Sequence, residues 1–187
     1  DKKITHQDFL NFSKLIKKRS LRKPIAYIIN KKFFWKSEFF VTKDTLIPRP
    51  DTEILIECIL KYSKNKNKQN ILDIGVGSGC ILLSILKEKK NFIGSGIDIS
   101  KDALNICKIN AVKLNVINRL KLYKTNVDKY NLGKYDLIVS NPPYINKNKI
   151  KYLDKDIVSY EPLMALDGGL DGLSEIRKVI SKSSDLI

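Results

Sequence analysis

A chain of 187 residues, 43% hydrophobic and 29% charged, has the length and balance of one soluble globular domain with a full core. His6 is its only histidine, which excludes His-based triads and His-rich metal sites, so no metal is expected. The formal charge of +15 admits a polyanionic partner, but it is almost all lysine; with only Arg19, Arg22, Arg49, Arg119 and Arg177 available for bidentate contacts, no specific nucleic-acid contact is expected.

Residues Thr5 to Arg19 carry Phe9, Phe12, Leu15 and Ile16 at helical spacing, an amphipathic helix that cannot bury its apolar face alone. Residues 1–23 are therefore expected to be the end of an N-terminal helical domain. Pro24 then opens an aromatic segment. Two β-prone runs, Tyr27 to Trp35 and Phe39 to Val41, flank the polar break Lys36-Ser37-Glu38 and predict a hairpin linker over 24–47. Its aromatics are expected to staple two domains together. From residue 48 to 187 a third segment begins with Pro50, Asp51, Thr52 and Glu53, a good helix start with a fixed φ and acids against the positive end of the dipole. That does not account for Pro48-Arg49, a stiff arm holding a guanidinium at the helix entrance.

After a Lys/Asn-rich linker, Ser63 to Asn70, strands alternate with helices. Strands are predicted at Asn70–Ile74, Phe92–Ile97, Leu120–Lys124 and Tyr135–Ser140, and helices at Cys80–Lys87 and Lys101–Leu114. Such alternation gives βαβ crossovers and an α/β fold with a parallel, doubly wound sheet, in which ligands bind at the strand carboxyl ends. Gly75 to Gly79, Asp98, Asn126 and Asn141 all fall at such ends. The segment Tyr160 to Gly172 is expected to be turn punctuation before a last helix, with Glu161 a cap or surface acid. Cys58, Cys80 and Cys107, scattered among apolar neighbours, predict reduced core thiols in a cytosolic protein. No apolar run approaches a membrane span and no secretory leader is expected. The opening Asp1 and a close in mid-helix at Ser181 to Ile187 suggest a piece of a longer protein.

Three features carry chemistry. Gly75-Val76-Gly77-Ser78-Gly79 places glycine at every second position, closer than in the dinucleotide fingerprint, and lets a ligand lie against backbone at a helix entrance. No Lys-Ser/Thr follows, so a phosphate cradle is not expected. Asp98, at the end of the second strand, stands where a carboxylate holds ribose hydroxyls; capping the following helix, in competition with Ser100, is the alternative. Asn141-Pro142-Pro143-Tyr144 ends the fourth strand. Each Pro fixes its own φ and pushes the preceding residue into extended geometry, and neither nitrogen donates. What such a loop offers is acceptors, the Asn141 Oδ1 and the Pro142 carbonyl, beside an aromatic ring. That suits a planar NH2 group, though a strand end with a Pro-Pro turn would read the same way.

Taken with Lys23-Pro-Ile-Ala-Tyr-Ile28, Leu46-Ile-Pro-Arg-Pro-Asp-Thr-Glu53 and Tyr160 to Gly172, these motifs resemble the PrmC/HemK family across nearly the whole chain. The resemblance implies a class I, Rossmann-like methyltransferase fold dependent on S-adenosyl-L-methionine, with S-adenosyl-L-homocysteine as product. Its substrate would be the glutamine of the Gly-Gly-Gln motif in a class 1 peptide chain release factor, methylated at the side-chain amide nitrogen. It further implies that Gly75 to Gly79 and Asp98 hold the cofactor, that Asn126 and Val127 lie beside the adenine, and that Asn141 to Tyr144 grip the glutamine. Asn126 stands where the family has an acid, and Asn30 and Lys36 replace hairpin glycines, Lys36 at a cost of about 1 kcal/mol if it takes positive φ. The implied protein is a cytoplasmic or organelle-matrix monomer. The sheet is expected to be open, four-stranded and unfinished on one side. Two other readings are an amino-group methyltransferase of nucleic acid, which shares Asn-Pro-Pro-Tyr, and a cofactor-binding remnant without catalysis.

Overall fold

A computed structural model describes residues 4–63, 65 and 67–187. Residues 1–3 of the first segment, and Lys64 and Lys66 of the linker, lie outside the described residues. Helix α1 (His6–Ser20) opens on a reciprocal cap: Asp8 N donates to the Thr5 hydroxyl while the Asp8 carboxylate accepts from Thr5 N. None of its residues is buried. Arg19 pairs with Asp156 and the Tyr160 hydroxyl donates to Leu21 O, so the end of α1 is tied to a distant helix rather than to the main core.

The linker departs from the expected hairpin in two ways. Residues 25–29 form a short helix, α2 (Ile25–Ile29), not the first part of a strand. The reason is tertiary: Tyr27 is buried and its hydroxyl donates to Thr45 O at 2.6 Å, which outweighs the β preference of a Tyr-Ile-Ile run. Asn30 ends α2 in the left-handed region at φ 54°. The hairpin itself is β1 (Lys31–Phe34) and β2 (Ser37–Phe40), joined by Trp35-Lys36, and the positive φ of its turn falls on Trp35 at 51° rather than on Lys36. No strain therefore attaches to the lysine. Phe34 and Phe39 meet edge to face inside the core, as a staple requires.

Helix α3 (Glu53–Tyr62) leads to β3 (Asn70–Ile74), α4 (Cys80–Glu88), β4 (Ile93–Asp98), α5 (Lys101–Lys113), β5 (Leu120–Lys124) and β6 (Leu137–Ser140). All the pairings among these four strands are parallel, and their order is β5-β4-β3-β6. The chain starts in the interior at β3, steps outward twice to β5, then returns to the other side of β3. The sheet's direction of growth thus reverses between β3 and β6, and ligands of such sheets bind in the crevice at that reversal. One large apolar cluster, with Ile71, Leu82, Leu83, Ile85 and Phe92, joins α3, α4 and the hairpin to one face. A smaller one, with Leu72, Ile74, Ile97, Val127 and Leu186, covers the other. The chain closes with α6 (Lys155–Tyr160) and α7 (Ser174–Leu186). Among the described residues no helix is long and apolar enough to cross a membrane. The cysteines are free thiols, but Cys58 lies exposed on α3 and only Cys107 is a core residue.

Candidate active site

Strand register brings the two chemical loops together. Ile74 pairs with Ser140 at the last step of the β3–β6 ladder, so Gly75 and Asn141 leave from neighbouring strand ends, which lie about 4.8 Å apart in a sheet. The Ser140 hydroxyl clamps that junction by donating to Ile74 O at 2.7 Å. Asn141, Pro142 and Pro143 are half-buried, and Tyr144 is 62% exposed, with its ring free on the surface. The loop therefore neither points wholly into solvent nor is sealed in the core. With Leu46, Arg49, Ile157 and Leu166 it lines a cleft of about 170 Å³.

The glycine turn is built for close approach. Gly75, Gly77 and Gly79 all take positive φ, but for different ends. A Cβ on Gly75 would meet nothing within 4 Å, so its outer side is open to a ligand. A Cβ on Gly79 would sit 2.7 Å from both Cys107 Sγ on α5 and Leu83 Cδ1 on α4, so that glycine is needed where the turn packs against the two helices. Val76 and Ser78 are buried, Val76 within the main core. Their side chains are thus inside the protein, and only their backbone remains for a cofactor. Asn110 fixes the turn from behind, donating to Ser78 O and Phe40 O while accepting from Phe40 N. One buried amide on α5 thereby couples the hairpin to the turn.

Asp98 does not cap α5; Ser100 does, accepting from Ala103 N. Asp98 instead accepts from Gly77 N at 2.9 Å and from Ser100 N at 2.9 Å, which aims it at the turn and leaves lone pairs on both oxygens. Burial raises its pKa, opposed by the N–H groups of Ser100, Gly77 and Ile99. Below the turn lies a second acid. Asp73, 1% exposed, has neither oxygen in a hydrogen bond of acceptable geometry. Burial pushes it up to about 7; the Leu82 amide partly counteracts this and the charge on Asp98 adds to it. Asp98 thus presents acceptor lone pairs beside an open glycine turn, where a ribose or a cation would meet them, and Asp73 lies buried beneath it. S-adenosylmethionine, with its sulfonium and ammonium charges and its ribose, fits this donor and acceptor set.

The two residues expected beside an adenine follow the carboxyl end of β5. Val127 packs its side chain into the second core cluster, against Leu72, Ile74 and Ile97, so it cannot offer that side chain to a ligand. Asn126 is exposed, and its Oδ1 caps the turn Val127–Lys129 by accepting from Asp128 N, which leaves its NH2 and a second lone pair on Oδ1 for other partners. Glu161 is not a surface acid: its side chain is 1% exposed, and it accepts from Arg49 at 2.5 Å and from Ile47 N at 3.2 Å. Nor is Gly168 to Gly172 simple punctuation. A Cβ on Gly168 would lie 2.9 Å from Pro143 O and 2.8 Å from Tyr144 Cα, and one on Gly172 would lie 2.6 Å from Tyr144 O. With Gly168 N donating to Ile145 O and Lys147 N to Gly169 O, this loop is the wall against which the Pro-Pro loop is set. Asp73 was visible in the sequence as an acid in an apolar strand. The partners of Arg49, Thr52 and Asn110 carried no local signal.

Residues 49–160 match the family model described as Methyltransferase small domain, which spans more than half of the chain. A release factor glutamine methyltransferase from Buchnera aphidicola subsp. Acyrthosiphon pisum is 45% identical over 96% of this chain and 64% of its own length. Another from Clostridium acetobutylicum is 41% identical over 92% of this chain and 61% of its own length. The chain thus spans a little under two thirds of such relatives. Among solved structures, the catalytic domain of hMettl16 in complex with a MAT2A 3'UTR hairpin is similar at a TM-score of 0.63, with 16% identity over 79% of this chain and 56% of its own length, a likeness of fold alone. The family match, the parallel sheet and the open glycine turn at its reversal point agree, and the chain belongs to the methyltransferase small domain family.

Proposed function

We propose that this chain carries the methyl-transferring part of a release factor glutamine methyltransferase. The observation that supports this most is the β3–β6 register, which sets an acceptor-lined, proline-stiffened loop one strand spacing from the glycine turn and its two acids. Bound at that turn, S-adenosylmethionine would supply an electrophilic methyl group on a sulfonium. The protein's part is then to hold and orient. An amide nitrogen is a weak nucleophile because its lone pair is delocalised, and acceptors on both N–H bonds draw it towards pyramidal geometry. Asn141 Oδ1 and the Pro142 carbonyl are the acceptors, and Tyr144 offers its flat face to the carboxamide. As a C–N bond formed to that methyl group, its S–CH3 bond would break with the electron pair going to sulfur, and the amide proton would leave to water afterwards. Positioning and electrostatics thus supply the rate enhancement. The names of the curated relatives support the same substrate. On this reading the chain works as a monomer in the cytoplasm or an organelle matrix.

The test is transfer of a radiolabelled methyl group to three acceptors in parallel: a class 1 release factor, the same factor with its Gly-Gly-Gln glutamine replaced by alanine, and duplex DNA. Label on the first alone is expected. Label on DNA or on the alanine version overturns the reading, and binding of cofactor with no transfer at all points to a non-catalytic remnant.

A further inference from the structure

Asn141 has a donor end and an acceptor end of nearly the same shape. Whichever end the protein holds decides which end meets the substrate. Its Nδ2 donates to the Thr52 hydroxyl at 3.4 Å, long for a hydrogen bond. Thr52 does not sit there by chance of a mobile loop. It closes the turn Pro50–Thr52, with Thr52 N on Arg49 O at 3.1 Å, and two prolines, Pro48 and Pro50, stiffen the approach. Arg49 anchors the segment to the buried Glu161, and Glu53, one residue on, accepts from Trp35 N at 2.9 Å. The hydroxyl is thus held on both sides by contacts to other parts of the fold.

We infer that Thr52 is the positioning residue of this site. By engaging Nδ2 it holds the Asn141 side chain with Oδ1 toward the cleft, the arrangement that meets a substrate group bringing N–H donors, as a primary carboxamide does. The inference rests on the methyl-transfer reading above, and it assigns the Pro48–Glu53 segment a role beyond starting a helix.

Two variants test it. Thr52→Val keeps the shape and removes the hydroxyl; Thr52→Ser keeps the hydroxyl. With a release factor as substrate, Thr52→Val should lower kcat about ten- to a hundredfold, the loss expected when a hydrogen bond that orients a catalytic group is removed. Its calorimetric affinity for S-adenosylmethionine and its thermal midpoint should match wild type, while Thr52→Ser should restore most of the rate. A general structural role would move the midpoint and would not be rescued. A second readout needs no turnover: the side-chain NH2 resonances of Asn141, assigned by their loss in Asn141→Ala, should move in Thr52→Val and stay in place in Thr52→Ser. Wild-type kcat in Thr52→Val, or unmoved NH2 resonances, overturns the inference. If the wild-type chain itself transfers no methyl group, the functional reading fails, and the resonances alone then decide the role of Thr52.

Discussion

Replacing Asp73 by asparagine isolates the energy stored beneath the glycine turn. The folded chain raises the Asp73 pKa from 3.8 to about 7, chiefly through burial. Below 3.8 the group is protonated in both states and contributes nothing to the pH dependence. Between 3.8 and about 7 the unfolded chain ionises while the folded chain keeps its proton, so the folded state binds more protons and stability falls as pH rises. Above that window both states are ionised and the loss is complete. At 1.36 kcal/mol per pKa unit the whole loss is about 4 kcal/mol, an upper bound because a buried site relaxes and admits water. Asparagine does not titrate, and whatever its own amide costs in that pocket is independent of pH. The quantity to measure is therefore the stability difference between Asp73→Asn and wild type by urea unfolding at a series of pH values from 4 to 8. It should move in favour of the variant by about 2–4 kcal/mol across the series, since groups that do not sense Asp73 cancel in the difference and Asp98, whose charge acts on it, shifts with it. A difference that stays flat from pH 4 to 8 would refute the assignment of a neutral, desolvated carboxyl to the folded state.

Asn141→Ala should abolish methyl transfer while leaving cofactor affinity within about tenfold, or 1.4 kcal/mol, whereas Asp98→Ala should lose cofactor binding first; calorimetry paired with single-turnover transfer separates the two. Glu161→Gln leaves the Arg49 guanidinium without its counter-charge, and because a third of the Arg49 side chain still reaches water the cost should fall below that of a fully buried pair, at about 1–3 kcal/mol by the urea midpoint with an unchanged slope. Gly168→Ala drives a Cβ against the backbone of Pro143 and Tyr144, which cannot give, so transfer should drop at least about tenfold with cofactor affinity intact, and equal activity would show that the loop wall is not what positions Asn141.

The parallel sheet was legible because β3, β4 and β6 are short runs ended at Gly, Asp or Asn-Pro, β5 alternates apolar residues with lysine, and helical spacing marks α4 and α5. The pairing that matters most, β3 beside β6, is a finding of the structure, because no residue in either strand names its neighbour. What escaped depends on contacts far apart in the chain. Tyr27-Ile-Ile reads as strand by composition and is helix because the Tyr27 hydroxyl reaches Thr45. Glu161 has nothing near it in sequence to suggest a buried ion pair, because Arg49 lies 112 residues away.

Pro48 to Glu53 shows why a sufficient local reason can hide a distant one. Pro50 and the acids after it start α3, and that explanation leaves only Pro48 and Arg49 over. Yet Thr52 caps nothing with its side chain, Glu53 spends its carboxylate on the hairpin turn, and Arg49 spends its guanidinium on the wall of the cleft. A helix start needs a fixed φ and a negative charge, and many sequences supply both. It does not need a guanidinium, a hydroxyl and a carboxylate at fixed intervals, each reaching a different part of the fold. The surplus of chemistry over what the local structure demands is the readable sign that the segment serves the loop opposite, where Asn141 must be held in place.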